Sequence, residues 1–271
     1  MRDIRHIKKR NLIISAGVIV FILVIALIIA VLIDNSHKVV FEDETMAEVI
    51  SKTAGVESVD KIRVDDLEKI ETLNIGYTGY YDTLVDIEKC PNLRKLIIGY
   101  PDYRLAHYYF ADREMPEPES KERVKQIEKE LGSILEKCPN LTTIYISNEK
   151  GNCELDNIEF LKKGKNLTSI SLYYQTDIDY SVISECTELQ FLSLYYSKIS
   201  DLGMISELEH LEDLYIEGTN VSEAKDILKL KKLNHLEIAD TPLAENEEQL
   251  ELIHKQFPEA NIYNGLQKLT F

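Results

Sequence analysis

Apolar residues are arranged in two ways along this chain. Leu12 to Ile33 is one apolar block, broken only by Ser15 and Gly17. After it, apolar residues recur in short sets. With a zero position at Ile70, Leu93, Leu141, Leu167, Leu189, Leu211, Leu233 and Phe257, apolar side chains stand at +3 and +5: Leu73/Ile75, Leu96/Ile98, Ile144/Ile146, Ile170/Leu172, Leu192/Leu194, Leu214/Ile216, Leu236/Ile238 and Ala260/Ile262. Most units add apolar or small residues at −6 and −3, as in Ile183/Cys186, Ile205/Leu208 and Ile227/Leu230. The steps between zeros are 23, 48, 26, 22, 22, 22 and 24. Residues two apart on a strand share a face, so +3 and +5 predict a short strand with two inward side chains. One such coil cannot bury its apolar face alone, and coils must stack. Stacking predicts an α/β solenoid with one curved parallel sheet on its concave side.

The apolar block has a different meaning. Its 22 uncharged residues, as a helix rising ~1.5 Å per residue, would reach ~33 Å, enough for a hydrocarbon core of ~30 Å. The block predicts one transmembrane helix ahead of the solenoid, an uncleaved signal anchor. Arg2, Arg5, Lys8, Lys9 and Arg10 precede it, which predicts a cytoplasmic N-terminus. The location expected is therefore the plasma membrane, single-pass, with the C-terminal domain extracytoplasmic. Ala26 and Ala30 form a small-xxx-small pair, a possible seam for a homo-oligomer. The expected organisation is a basic tail over 1–11, the anchor over 12–33, a helical N-terminal cap over 34–63, repeats over 64–264 with an insertion at 99–136, and a tail over 265–271.

The insertion accounts for the long step. It holds an aromatic run at His107, Tyr108, Tyr109 and Phe110, open to reading as a packing loop or a contact protrusion. Val124, Ile127, Leu131, Ile134 and Leu135 then recur at helical spacing and predict a helix from Lys121 to Lys137 on the convex side.

Charge and composition narrow the function. The net charge is −16, and of 31 basic and 47 acidic side chains residues 1–10 hold five and one and the block none, leaving 26 and 46 for 34–271. Such a surface is unsuited to nucleic acid. Hydrophobic residues at 44% supply a core. Cys90, Cys138 and Cys186 all occupy −3 and read as small core hydrophobes. No C-x-x-C pair, H-E-x-x-H spacing, phosphate-binding loop or nucleophile elbow occurs, so no metal, cofactor or catalytic residue is expected and the chain does not read as an enzyme. Glycosylation sequons at Asn140, Asn166 and Asn220 carry no weight, since two fall out of the repeat itself.

The pattern Leu189-x-x-Leu192-x-Leu194 followed by Lys198-Ile199-Ser200-Asp201 resembles the bacterial leucine-rich repeats of the internalin-like, 22-residue type. The resemblance covers roughly residues 39–264. It implies a leucine-rich repeat solenoid with a helical N-terminal cap, and a binding scaffold rather than a catalyst. One departure is clear: the usual asparagine after the strand is replaced by Thr78, Pro101, Glu149, Gln175, Ser197, Thr219 and Thr241.

If +3 and +5 face the core, +2, +4 and +6 face the concave side. Four successive coils then place Tyr145, Tyr173, Phe191, Tyr195 and Tyr215 on one face, and Tyr174 and Tyr196 follow at +7. Serines between them are expected to leave the rings accessible, and Asp213, Glu217, Glu237 and Asp240 to give a negative rim. Tyrosine combines area, a hydroxyl and little side-chain entropy, which suits protein or peptide recognition; it also simply suits strand faces. The function expected is a membrane-anchored extracytoplasmic module that binds a protein or peptide through Tyr145, Tyr173, Tyr174, Phe191, Tyr195, Tyr196 and Tyr215. The alternative is a structural or assembly subunit of a cell-envelope complex.

Overall fold

The computed structural model describes residues 21–27, 38–99, 113–176 and 178–270. The first element, α1 (residues 21–27), lies within the apolar block. Among the described residues no helix is long and apolar enough to cross a membrane. The expected transmembrane helix, and the single-pass plasma-membrane location derived from it, are therefore corrected. The rest of Leu12–Ile33, including Ala30, lies outside the described residues, as does the aromatic run at 107–110.

The cap begins with α2 (Glu44–Thr53), whose first turn is closed by Asp43 accepting from the Met46 N–H at 2.7 Å. Met46, Val49 and Ile50 lie on one face of α2 and are fully buried. A short helix, α3 (Val64–Leu67), leads into the sheet. Buried Asp86 fixes the cap to the second coil, accepting from the N–H groups of Glu42 (2.9 Å) and Asp43 (2.8 Å).

Nine strands follow in chain order: β1 (Thr72–Gly76), β2 (Lys95–Gly99), β3 (Thr143–Ser147), β4 (Ser169–Tyr173), β5 (Phe191–Ser193), β6 (Asp213–Tyr215), β7 (His235–Glu237), β8 (Asn261–Asn264) and β9 (Gln267–Lys268). Each pairs with its sequence neighbour. All pairs are parallel except β8–β9, a hairpin that ends the sheet. Thr143 pairs with Ser169, Ser169 with Phe191, Phe191 with Asp213 and Asp213 with His235, the spacing read from the repeats.

The +3 and +5 residues from Leu73/Ile75 to Leu236/Ile238 are at most 1% exposed. Opposite them, short 3-10 turns at Val85–Lys89, Glu159–Lys163, Tyr180–Glu185, Gly203–Ile205 and Ile227–Lys229 form the return limbs. They bury Ile87, Leu161, Ile183, Ile205 and Ile227, the −6 positions.

In the third coil the return limb is α4 (Lys121–Lys137), packed between the 3-10 turns of its neighbours. Two buried carboxylates on α4 hold it there. Glu130 accepts from Leu84 N–H and Thr83 Oγ1, both at 2.9 Å. Glu128 accepts from the N–H groups of Asp156 (2.7 Å) and Asn157 (2.8 Å) on the other side.

The missing asparagines have substitutes. Buried Gln175 bridges the Leu155 N–H and the Cys153 carbonyl, while Thr219 and Thr241 donate to the carbonyls of Ile216 and Ile238. A separate amide ladder runs at position −1: Asn92, Asn140 and Asn166 each donate to the carbonyl of Glu68, Pro91 and Pro139 in the preceding coil. Asn140 and Asn166 are thus structural residues of the coil.

The last coil departs from the expected register. Leu236 pairs with Ile262, so Ile262 stands at +3 rather than +5. Its return limb contains a full helix, α5 (Glu247–Gln256), which uses extra residues before the strand.

Candidate binding face

Because +3 and +5 point into the core, the alternate strand residues face outward, and strand register decides which of them meet. Ser147 lies beside Tyr173 and Ser193 beside Tyr215. Tyr145 meets Tyr173 edge-on at 4.9 Å, and Tyr173 stacks on Tyr195 at 5.0 Å. Tyr174 and Tyr196 stack face to face at 5.2 Å with 6° between their planes. Tyr196 also meets Tyr195 edge-on at 4.8 Å. Phe191 and Tyr215 form a second row at 5.0 Å.

The structure thus brings the seven expected aromatics into two neighbouring groups. Six are partly exposed. Tyr145 is only 4% exposed, so it supports its neighbours more than it offers surface. The serines do not act as open gaps either. Ser171 and Ser193 are 7% and 0% exposed, buried among the larger side chains.

Two further rings belong to the face. His235 stacks on Tyr215 at 4.7 Å and Tyr263 on His235 at 5.0 Å. His235 sits at +2, so the strand rule could have found it. Tyr263 could have been found the same way: it stands at +6 counted from Phe257 and at +4 in the observed register, outward in both, and lies beside Glu237.

Position +7 has an uncommon backbone. Tyr174 (φ 59°), Tyr196 (φ 51°), Gly218 (φ 69°) and Asp240 (φ 56°) are all left-handed. For a residue with a Cβ this conformation costs about 1–2 kcal/mol. Lateral bonds over-determine it: the N–H groups of Tyr174, Tyr196 and Gly218 donate to the carbonyls of Tyr195, Glu217 and Ala239 in the next coil. This conformation sets where the +7 rings lie. The Tyr196 ring lies over Gly218, where a Cβ would come within 2.5 Å of it.

Carboxylates border the rings. Tyr195 donates to Glu217 and Tyr196 to Asp240, each at 2.8 Å. Burial is the main cause raising the Glu217 pKa, and Glu237 and Asp240 add like charge. Burial, then the bond to Glu217, pushes the Tyr195 phenol up. The bond to Asp240, then burial, pushes Tyr196 up to about 12. Asp213 is raised by burial, with His235 opposing.

Elsewhere the four cysteines are buried free thiols. Among the described residues no group of three or more His, Cys, Asp or Glu is placed to hold a metal ion.

No protein-family model and no curated protein matches the sequence. Among solved structures, the chain is similar to internalin C2 of Listeria monocytogenes, with a TM-score of 0.50 and 18% identity over 82% of this chain and 94% of that one. A second Listeria monocytogenes internalin gives a TM-score of 0.37 and 17% identity over 83% and 75% of the two chains. A leucine-rich repeat protein of Leptospira interrogans gives 0.38 and 14% over 74% and 62%. The likeness to internalin C2 shows the fold: this protein is a leucine-rich repeat solenoid.

Proposed function

We propose that this solenoid is a protein-binding module whose site is the aromatic outward face of the sheet, centred on Tyr173, Tyr174, Tyr195, Tyr196 and Tyr215. The observation that carries the reading is the Tyr174–Tyr196 pair, two stacked, partly exposed rings held on left-handed backbone. Strain of this kind is retained where a surface is set for a purpose. Large rings with fixed neighbours lose little freedom on binding, which favours a protein or peptide ligand.

The test is capture of partners on immobilised full-length chain beside a Tyr174→Ser/Tyr196→Ser/Tyr215→Ser variant shown by circular dichroism to fold. A protein held by the first and lost by the second supports the reading. Equal capture by both would move the site off this face.

A further inference from the structure

The C-terminal half of the face carries carboxylates, and Lys268 of β9, paired with Tyr263 at its edge, donates to Asn261 Oδ1 rather than to any of them. Glu217, Glu237 and Asp240 lie close enough for the latter two to raise the pKa of the first. Glu217 and Asp240 each use one oxygen on a tyrosine hydroxyl. Glu237 uses Oε1 on the N–H groups of Ile238, Ala239 and Gly265. Among the described residues no Lys or Arg forms an ion pair with any of the three.

On the return limbs and coil edges the opposite holds. Asp86 pairs with Lys89 (2.6 Å), Glu88 with Lys137 (2.6 Å), Asp226 with Lys229 (2.8 Å) and Glu212 with Lys232 (3.4 Å). The +2, +4, +6 and +7 positions of the four coils from Ser169 to Asp240 contain Asp213, Glu217, Glu237 and Asp240 and no Lys or Arg.

Three further features belong to this side of the sheet. The stacked Tyr174 and Tyr196 rings present π-faces, to which ammonium and guanidinium groups are attracted. A groove of about 610 Å³ is lined by Gly218, Asn220, Asp240, Glu245 and Asn264, and so adjoins the carboxylate that accepts from Tyr196. Ser193 Oγ, on the outward side between Ser171 and Tyr215, is fully buried and has no hydrogen-bond partner.

We propose that the face takes a cationic segment of a partner protein, with its Lys or Arg heads set between the Tyr174, Tyr195 and Tyr196 rings and the carboxylates of Glu217, Glu237 and Asp240. This rests on the protein-binding reading above and adds the chemistry of the partner. An apolar segment would desolvate three carboxylates without pairing them, and an acidic one would be repelled. The chain's net charge of −16 steers a basic segment towards the protein at low salt.

The probe is a short fluorescent peptide of alternating lysine and glycine, read by anisotropy on the full chain. A glutamate–glycine peptide is the control. The test variant is Glu217→Gln/Glu237→Gln/Asp240→Asn. The charge-matched control is Glu188→Gln/Glu207→Gln/Glu209→Gln, three exposed carboxylates away from the strands. The lysine peptide is expected to bind, to weaken about tenfold or more in the test variant and with Tyr174→Ser/Tyr196→Ser, and to keep its affinity in the control. Equal weakening in the test and control variants would overturn the proposal as unspecific attraction. So would absence of binding by the lysine peptide. If partner capture then still depended on the tyrosines, the protein-binding reading would stand without its cationic chemistry. If capture did not depend on them, both would fall.

Discussion

The phenol of Tyr196 reaches across Gly218 to the carboxylate of Asp240, 2.8 Å away in the coil beyond. Three consecutive +7 positions thereby act together, two as partners and one by having no side chain. All three share the left-handed backbone, and the middle one also has to be flat.

Gly218→Ala should therefore cost more than its backbone alone. A Cβ at φ 69° carries the left-handed penalty of about 1–2 kcal/mol, and it would also sit within 2.5 Å of the Tyr196 ring. Gly265→Ala is the control, since its φ is 63° but its Cβ would meet nothing closer than 3.9 Å. Urea denaturation should show the larger loss for Gly218→Ala. Equal losses would mean that the ring moves aside freely.

The Tyr196–Asp240 bond should be visible in alkaline titration. The Tyr196 pKa is raised from an ordinary value of 10 to about 12, so its stabilisation is fully present below pH 10 and is lost as pH climbs towards 12. Buried Tyr180, also pushed up to about 12, titrates in the same range. Ultraviolet difference titration of Tyr196→Phe should lose one late-ionising phenol and retain the one from Tyr180. An unchanged late phase would count against the bond.

Removing the α4 carboxylates should loosen the third coil from both neighbours. Glu130→Ala strands the buried Leu84 N–H, at a cost of about 1–3 kcal/mol. Glu128 has a raised pKa, chiefly from burial. Its contribution is greatest below the ordinary carboxylate value of 4.5 and falls as pH rises through the raised one. Glu128→Gln should flatten that part of the stability profile in thermal melts. A profile identical to wild type would rule out Glu128 as the source.

The thiols should be silent until the chain unfolds. Burial pushes Cys90 up to about 12 and Cys138, Cys153 and Cys186 up to about 11, so little thiolate exists at neutral pH. Ellman's reagent should report the four thiols only in denaturant. Rapid reaction of native protein would show that a coil opens locally.

Much of this architecture was legible in the chain. Leu192 and Leu194 are two residues apart because a strand buries every second side chain, and Ile183 recurs on the return limb because it fills the same core. Such rules are local and repeat in each coil, so register from Thr143 to His235 followed directly. The same reasoning over-reached at Leu12–Ile33, where apolar length alone predicted a spanning helix and no helix among the described residues is long and apolar enough to cross a membrane. It also slipped in the last coil, where α5 displaced the strand.

What the sequence by itself determined is which side chains of each coil point inward, since alternation and burial act within a few residues. Only the tertiary structure decided which outward side chains meet. Whether Tyr145 is buried, whether Tyr196 reaches Asp240 and whether His235 joins the aromatic row depend on lateral packing between coils at least 22 residues apart. They depend equally on a left-handed turn that no preference of Tyr would have suggested at Tyr174 and Tyr196.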